Sequence, residues 1–154
     1  MANDSHGNMS IAITSGYFNP LHVGHLELFT RMLGVASYVW VIVNNDWQAY
    51  QKRGVESYQN EADRVAIISQ LRQVTRVFLS SDNDATVRTT LRELVHKARH
   101  ESKINRIFFC KGGDSTQENI PELETCLDLG VPLVLGLGGK IRHSSKIVAR
   151  ELGR

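Results

Sequence analysis

Two histidines three residues apart, His22 and His25, stand where a helical pattern begins, with Gly24 between them and Gly16 and Pro20 just ahead. Backbone N–H groups at a helix start lack intrahelical partners and carry partial positive charge, so they suit an anion. Imidazoles in that first turn add donors aimed at the same place. Gly16 is expected to let the chain turn tightly after a strand, Pro20 to stiffen the loop, and Gly24 to let a ligand approach the backbone. Such a set can bind phosphate, with donors that follow charge as it develops during a transfer. Packing or helix capping is the competing role for an isolated histidine pair. Zinc binding is disfavoured, because no third protein ligand lies nearby.

More polar groups recur further along. Lys52 and Arg53 lie in a polar stretch, residues 44–60, expected to be a loop. "KGGD" covers Lys111, Gly112, Gly113 and Asp114, and "HSSK" begins at His143 with Ser144 and Ser145 next. Paired glycines mark turns, and serines cap helices, so each segment also has a purely structural use. His96 and His100 have metal-compatible spacing, but they lie in a helix dense with Arg and Lys and read as a solvated face.

These groups need a scaffold, and the apolar pattern supplies one. Runs at residues 9–15, 38–43, 75–80, 105–110 and 132–137 read as buried strands. Helical spacing covers Leu26, Leu28, Phe29, Met32 and Leu33, then residues 61–72, 86–100, 121–129 and 144–152. Strands alternating with helices imply right-handed βαβ units in an open parallel sheet. The fold expected is α/β, a Rossmann-like doubly wound sheet of about five strands in the order 3-2-1-4-5. Ligands in such sheets sit outside the carboxyl ends of the strands, where the polar, glycine-bearing segments fall.

Composition bounds the rest. The 154 residues suit one domain, expected over residues 9–154 behind a loose leader at 1–8. A formal charge of +2 argues against a nucleic-acid binder that relies on bulk charge. No apolar run reaches the ~20 residues of a membrane helix. The polar start does not read as a signal peptide, and the lone cysteines Cys110 and Cys126 read as reduced thiols, so the expected location is the cytoplasm.

"HVGH" is an H-x-G-H motif, and "GYFNPLHVGH" resembles the opening of the cytidylyltransferase-like nucleotidyltransferases. "VNND" at 43–46 and "EADRVAII" with Arg64 resemble heptose-phosphate adenylyltransferases and glycerol-3-phosphate cytidylyltransferases. "KGGD" resembles the heptose enzymes most, and "HSSKI" resembles the Ser/Thr-rich start of the family's final helix. The resemblance spans residues 11–148, with its motifs in order.

It implies that an acceptor phosphate attacks the α-phosphorus of CTP or ATP and pyrophosphate leaves. His22 and His25 would contact the triphosphate, and Lys52, or Arg53 in its place, would neutralise phosphate charge. Gly16, Tyr17, Phe18, Asn19 and Gly24 would line the nucleotide, with Asn19 standing where many relatives have Asp. Lys111, Gly112 and Asp114 would lie beside the nucleoside or the acceptor. Ser144 and Ser145 would hold the β- and γ-phosphates. Arg142 would replace the arginine that the glycerol-3-phosphate enzymes place before this run, and His143 would add a phosphate contact or cap the helix.

Mg²⁺ would arrive on the triphosphate, with few protein ligands. A phosphate monoester is largely dianionic at neutral pH, its second pKa lying near ~6, so no general base is required. The implied acceptor is a small phosphomonoester such as a sugar or glycerol phosphate. Pantetheine phosphate and nicotinamide mononucleotide fit less well, because the later motifs match those families poorly. "KGGD" leans toward adenylyl transfer, while chain length suits the small cytidylyltransferases equally. Relatives often pair as homodimers. The rival readings are a nucleotide-binding sensor or assisting module without turnover, which the intact histidines disfavour, and tRNA charging, for which the chain lacks a basic stripe.

Overall fold

The structure is a computed structural model that describes residues 9–113 and 119–137. Five strands alternate with helices: β1 (Ser10–Gly16), α1 (Val23–Met32), β2 (Tyr38–Val43), α2 (Asp46–Arg53), α3 (Glu61–Ser69), β3 (Arg76–Leu79), α4 (Arg88–His100), β4 (Arg106–Gly112), α5 (Leu123–Leu129) and β5 (Leu133–Leu137). The strands form one parallel sheet in the order β3-β2-β1-β4-β5, as the alternation predicts.

Period-two alternation sends successive side chains to opposite faces, and both faces are covered. Ile11 and Ile13 of β1 join Trp40, Ile42 and Phe109 against Leu91, Val95 and Ala98 of α4. Ala12, between them, faces the other way with Val39 and Val41, against Phe29 and Met32 of α1 and Ile68 of α3. Strand β1 pairs with β2 on one side and β4 on the other, so the chain reverses direction across the sheet there. That switch point opens a crevice at the carboxyl ends of β1 and β4.

Residues 44–60 depart from the loop expectation, because α2 occupies eight of them. Helix α2 has no apolar stripe; its buried residues are Gln48 and Ala49. Its ends hold it. The Asn45 side chain accepts from the Gln48 N–H, and the Gln48 side chain accepts from the Asn45 N–H. Gly54 closes it in the left-handed conformation (φ 79°). Gln48 also donates to the Asp84 and Thr86 carbonyls. Hydrophobic periodicity cannot see a helix fastened by polar bonds. Lys52 therefore rides on a capped helix and not on a loop.

The expected final helix lies outside the described residues. Among those described, no helix is long and apolar enough to cross a membrane.

Candidate functional site

The histidines are built into the start of α1. His22 is the N-cap: its Nδ1 accepts the Gly24 N–H at 3.1 Å. His25 reaches back, and its Nδ1 accepts the His22 N–H at 3.1 Å. This is a capping box made of two imidazoles, whose rings stack with centroids 3.8 Å apart. Capping and ligand binding are thus not rival uses of these residues. An Nδ1 that accepts a backbone N–H carries no proton, so the neutral ring holds its proton on Nε2. Both rings then offer an Nε2–H on the side away from the backbone. Burial lowers the His25 pKa to about 4, with the neighbouring His22 adding to the shift, so His25 is neutral at pH 7.

Phe18 supplies part of that burial. Its ring is 3% exposed and meets His25 edge-on at 4.9 Å and Phe29 at 5.7 Å. Phe18, not Gly16, takes the positive φ in this loop (51°). Gly16 matters for space instead, since a Cβ there would lie 2.7 Å from the Phe18 ring. Gly24 is likewise a matter of packing, as its added Cβ would lie 2.9 Å from His22 Cε1. Both glycines leave room for neighbouring rings, Gly16 for Phe18 and Gly24 for His22. Asn19 joins Pro20 through a cis peptide bond, and its Oδ1 accepts the Gln59 N–H at 3.1 Å, tying in the segment before α3.

Three cavities meet around these groups. The first, about 350 Å³, is lined by Tyr17, Asn19, His22, His25, Lys52 and Arg53 among others. The second, about 250 Å³, lies on the other side of the histidines against Gly24, Lys111, Gly112 and Gly113. The third, about 240 Å³, lies between Tyr17, Asn44, Lys52, Val87, Lys111 and Glu122. Lys52 lines the first and third, with its Nζ 4.6 Å from the centre of the Tyr17 ring. Arg53 lines the first alone among the three. Lys111 lines the second and third, and its Nζ donates to the Ser15 carbonyl (2.9 Å) and Oγ (3.2 Å). Burial lowers the Lys111 pKa, the Glu122 charge opposes that shift, and the Lys52 charge reinforces it.

Lys111 and Gly112 end β4 and do not form a turn after it; the turn residue is Gly113 (φ 61°). Gly112 is required by the sheet, because a Cβ there would lie 2.3 Å from the Leu137 carbonyl oxygen. Asp114, Arg142, His143, Ser144 and Ser145 lie outside the described residues. Trp47, half-exposed, lines a separate groove with Leu79, Ser80 and Asp82 and does not reach the histidines.

Arg64 has a larger part than its place in a motif suggests. It is 1% exposed and donates to the Tyr17 carbonyl (2.9 Å), the Asn44 carbonyl (2.7 Å), the Gln59 carbonyl (3.0 Å) and Asp46 Oδ1 (2.7 Å). One guanidinium thus ties the ends of β1 and β2 to the start of α2. The sequence held a signal: Arg64 lies four residues before Ile68, on the buried face of α3. Glu122 had no such signal. It follows Pro121 in an unremarkable helix start, yet it is 5% exposed and lines the third cavity.

The donors gathered here are N–H groups and ammonium groups, which suit a polyanion. Among the described residues, no group of three or more His, Cys, Asp or Glu could hold a metal ion.

A family model described as cytidylyltransferase-like matches residues 13–133. The lipopolysaccharide core biosynthesis protein of Thermoplasma volcanium GSS1 shares the fold, with a TM-score of 0.60 and 22% identity over 84% of this chain and 98% of that one. So does a bifunctional NMN adenylyltransferase/ADP ribose pyrophosphatase of Francisella tularensis, solved with AMP and a manganese ion, at a TM-score of 0.55 and 16% identity. That match covers 82% of this chain and 36% of the other. No curated protein matches in sequence.

Proposed function

The chain belongs to the cytidylyltransferase-like family of nucleotidyltransferases, and on that premise we propose that it transfers CMP or AMP from an NTP to a small phosphomonoester. An acceptor phosphate oxygen attacks the α-phosphorus, the bond from that phosphorus to the bridging oxygen breaks, and pyrophosphate leaves with the electron pair. The observation that carries this reading is the pair of imidazoles whose Nδ1 atoms are committed to backbone, leaving two Nε2–H donors between the first and second cavities. Neutral donors fixed by their own capping bonds need not reorganise as charge builds on the phosphate oxygens.

In this reading the nucleotide lies along Gly24, Gly112 and Gly113 with its phosphates over His22 and His25. Lys52 and Lys111 flank the reacting phosphates from opposite sides. Mg²⁺ would be carried by the triphosphate, with few ligands from this chain, and would supply charge neutralisation at the pyrophosphate. Tyr17, Phe18, Asn19 and Gly16 shape the cradle. Arg142, His143, Ser144, Ser145 and Asp114 keep the roles that the family resemblance gives them. A solved fold relative bears AMP, which favours ATP as the first donor to test, while the matched family description keeps CTP beside it.

The test measures pyrophosphate release with ATP or CTP, Mg²⁺ and a panel of phosphomonoesters. Release that depends on both an NTP and an acceptor is expected. NTP binding without release for any acceptor would leave a nucleotide-binding module and end the transfer reading.

A further inference from the structure

Among the described residues, Tyr17 and Lys52 alone line both the first and the third cavity, so together they form the partition between them. The Lys52 Nζ lies 4.6 Å from the centroid of the Tyr17 ring, and no ion pair among the described residues includes Lys52. One guanidinium ties both in place. Arg64 donates to the Tyr17 carbonyl at 2.9 Å and to Asp46 Oδ1 at 2.7 Å, and Asp46 opens the helix whose last turn carries Lys52. Burial raises the Tyr17 pKa and the charge of Glu122 raises it further, more than Arg64 lowers it, so the ring is uncharged at pH 7.

A lysine stem is flexible, and an ammonium on the last turn of a helix settles in one place only if something holds it. A carboxylate would hold it, and would then compete with an incoming phosphate for the same charge. An aromatic face attracts the ammonium through the ring quadrupole and does not take up its three N–H groups as a carboxylate does. Lys111, which shares the third cavity, is likewise held by uncharged groups, the Ser15 carbonyl and hydroxyl. A polyanion entering there meets two ammonium groups that no ion pair among the described residues has claimed. Arg53, one residue beyond Lys52, lines the first cavity and not the third.

We propose that Tyr17 is a positioning residue: its ring face holds the Lys52 ammonium at the partition of the two cavities and leaves the N–H groups of that ammonium to the phosphates of the nucleotide. Tyr17 acts on binding through Lys52. This rests on the transfer reading above, which puts phosphates beside Lys52, and adds the group that aims it.

Calorimetric titration of the full chain with ATP and Mg²⁺, and separately with CTP and Mg²⁺, tests this without turnover. Tyr17→Leu keeps apolar bulk but no aromatic face, and is expected to weaken the tighter-binding nucleotide about fivefold, the size of one cation–π contact. Tyr17→Phe keeps the face and is expected to recover most of that loss. In a Lys52→Ala background, Tyr17→Leu is expected to cost less than about twofold, because the ring then has no ammonium to hold. Proton NMR reads the contact with no ligand added. The Lys52 Hε signals, assigned by their loss in Lys52→Ala, are expected upfield of the random-coil position in the wild type and in Tyr17→Phe, through the ring current. If Tyr17→Leu fails to fold, those two spectra decide. Undiminished binding by Tyr17→Leu, equal losses in Tyr17→Phe and Tyr17→Leu, a full Tyr17→Leu loss in the Lys52→Ala background, or unshifted Lys52 signals would each overturn the proposal. The second would assign the effect to the hydroxyl, and the third would make the ring a nucleotide contact in its own right. Coupling of Tyr17 to Lys52 without pyrophosphate release would refute transfer and keep the positioning role; release without coupling would do the reverse. No binding of either nucleotide by the wild type would overturn both.

Discussion

The imidazole of His25 lies against that of His22 at 3.8 Å, and its Nδ1 holds the His22 N–H. The residue that caps the helix is itself held by the residue one turn later. Each ring is locked by a bond that also fixes which nitrogen keeps the proton.

His25→Gln removes one donor from the phosphate cradle. Loss of a preorganised transition-state donor is expected to lower kcat by about 10²–10³. Stabilisation by NTP and Mg²⁺ should persist, since ground-state contacts from the lysines and backbone remain. Steady-state kinetics beside thermal shift checks both; unchanged kcat would remove His25 from the mechanism.

The buried His25 ring also predicts a pH dependence of stability. Its folded pKa is about 4, below the ordinary value of 6.5. Between those values the unfolded chain holds a proton that the folded chain lacks, so unfolding is favoured as pH falls. The contribution is complete above pH 6.5 and is lost progressively toward pH 4. Melting curves at pH 7 and pH 5 should show a larger Tm drop for the wild type than for His25→Gln, with about 2–4 °C per kcal/mol at this chain length. Equal drops would mean that the ring is not desolvated.

Lys52 and Arg53 are neighbours with different surroundings. Lys52 sits over Tyr17 between two cavities, whereas Arg53 borders one. Lys52→Ala is expected to lower kcat/KM by about 10², as a fixed cation beside the reacting phosphates should. Arg53→Ala is expected to cost less than about fivefold, in line with an exposed charge. The reverse order would assign the phosphate contact to Arg53.

Gly24→Ala would push a methyl group into the His22 ring. The helix should survive, because Ala is a better helix former than Gly by about 1 kcal/mol. Activity should fall as the His22 ring is displaced. A circular dichroism melt near the wild-type value with reduced kcat is the expected result; wild-type turnover would show that the ring position is not critical.

Arg64→Ala strands the Asp46 carboxylate and leaves the Tyr17, Asn44 and Gln59 carbonyls without their donor. Each buried carbonyl left unpaired costs about 1–3 kcal/mol, and the Asp46 carboxylate, 42% exposed, adds less. Urea denaturation should show that loss, and Arg64→Lys should recover only part, because an ammonium cannot span four acceptors. A change below about 1 kcal/mol would mean that Arg64 does not hold the loops together.

The order of strands and helices was legible in the residues because each element buries an apolar face, and burial leaves a period. Trp40 within an unbroken apolar run belongs to the core for that reason. Helix α2 was not legible: it is fastened by Asn45, Gln48 and Gly54, and polar bonds leave no hydrophobic period. The glycines show the same limit from the other side. Gly16, Gly24 and Gly112 stand at the expected places, but the atoms that exclude a Cβ there are a phenyl ring, an imidazole and a carbonyl from a neighbouring strand.

By itself the sequence determined that a parallel sheet would carry His22, His25, Lys52 and Lys111 to one rim, because alternation sets which loops share an edge. Tertiary structure alone decided that the two imidazoles cap each other's turn, that Arg64 joins β1 to β2, and that Glu122 enters a cavity 11 residues after Lys111 in the chain. Those relations depend on atoms meeting across the fold, and chain spacing holds no record of distances through space.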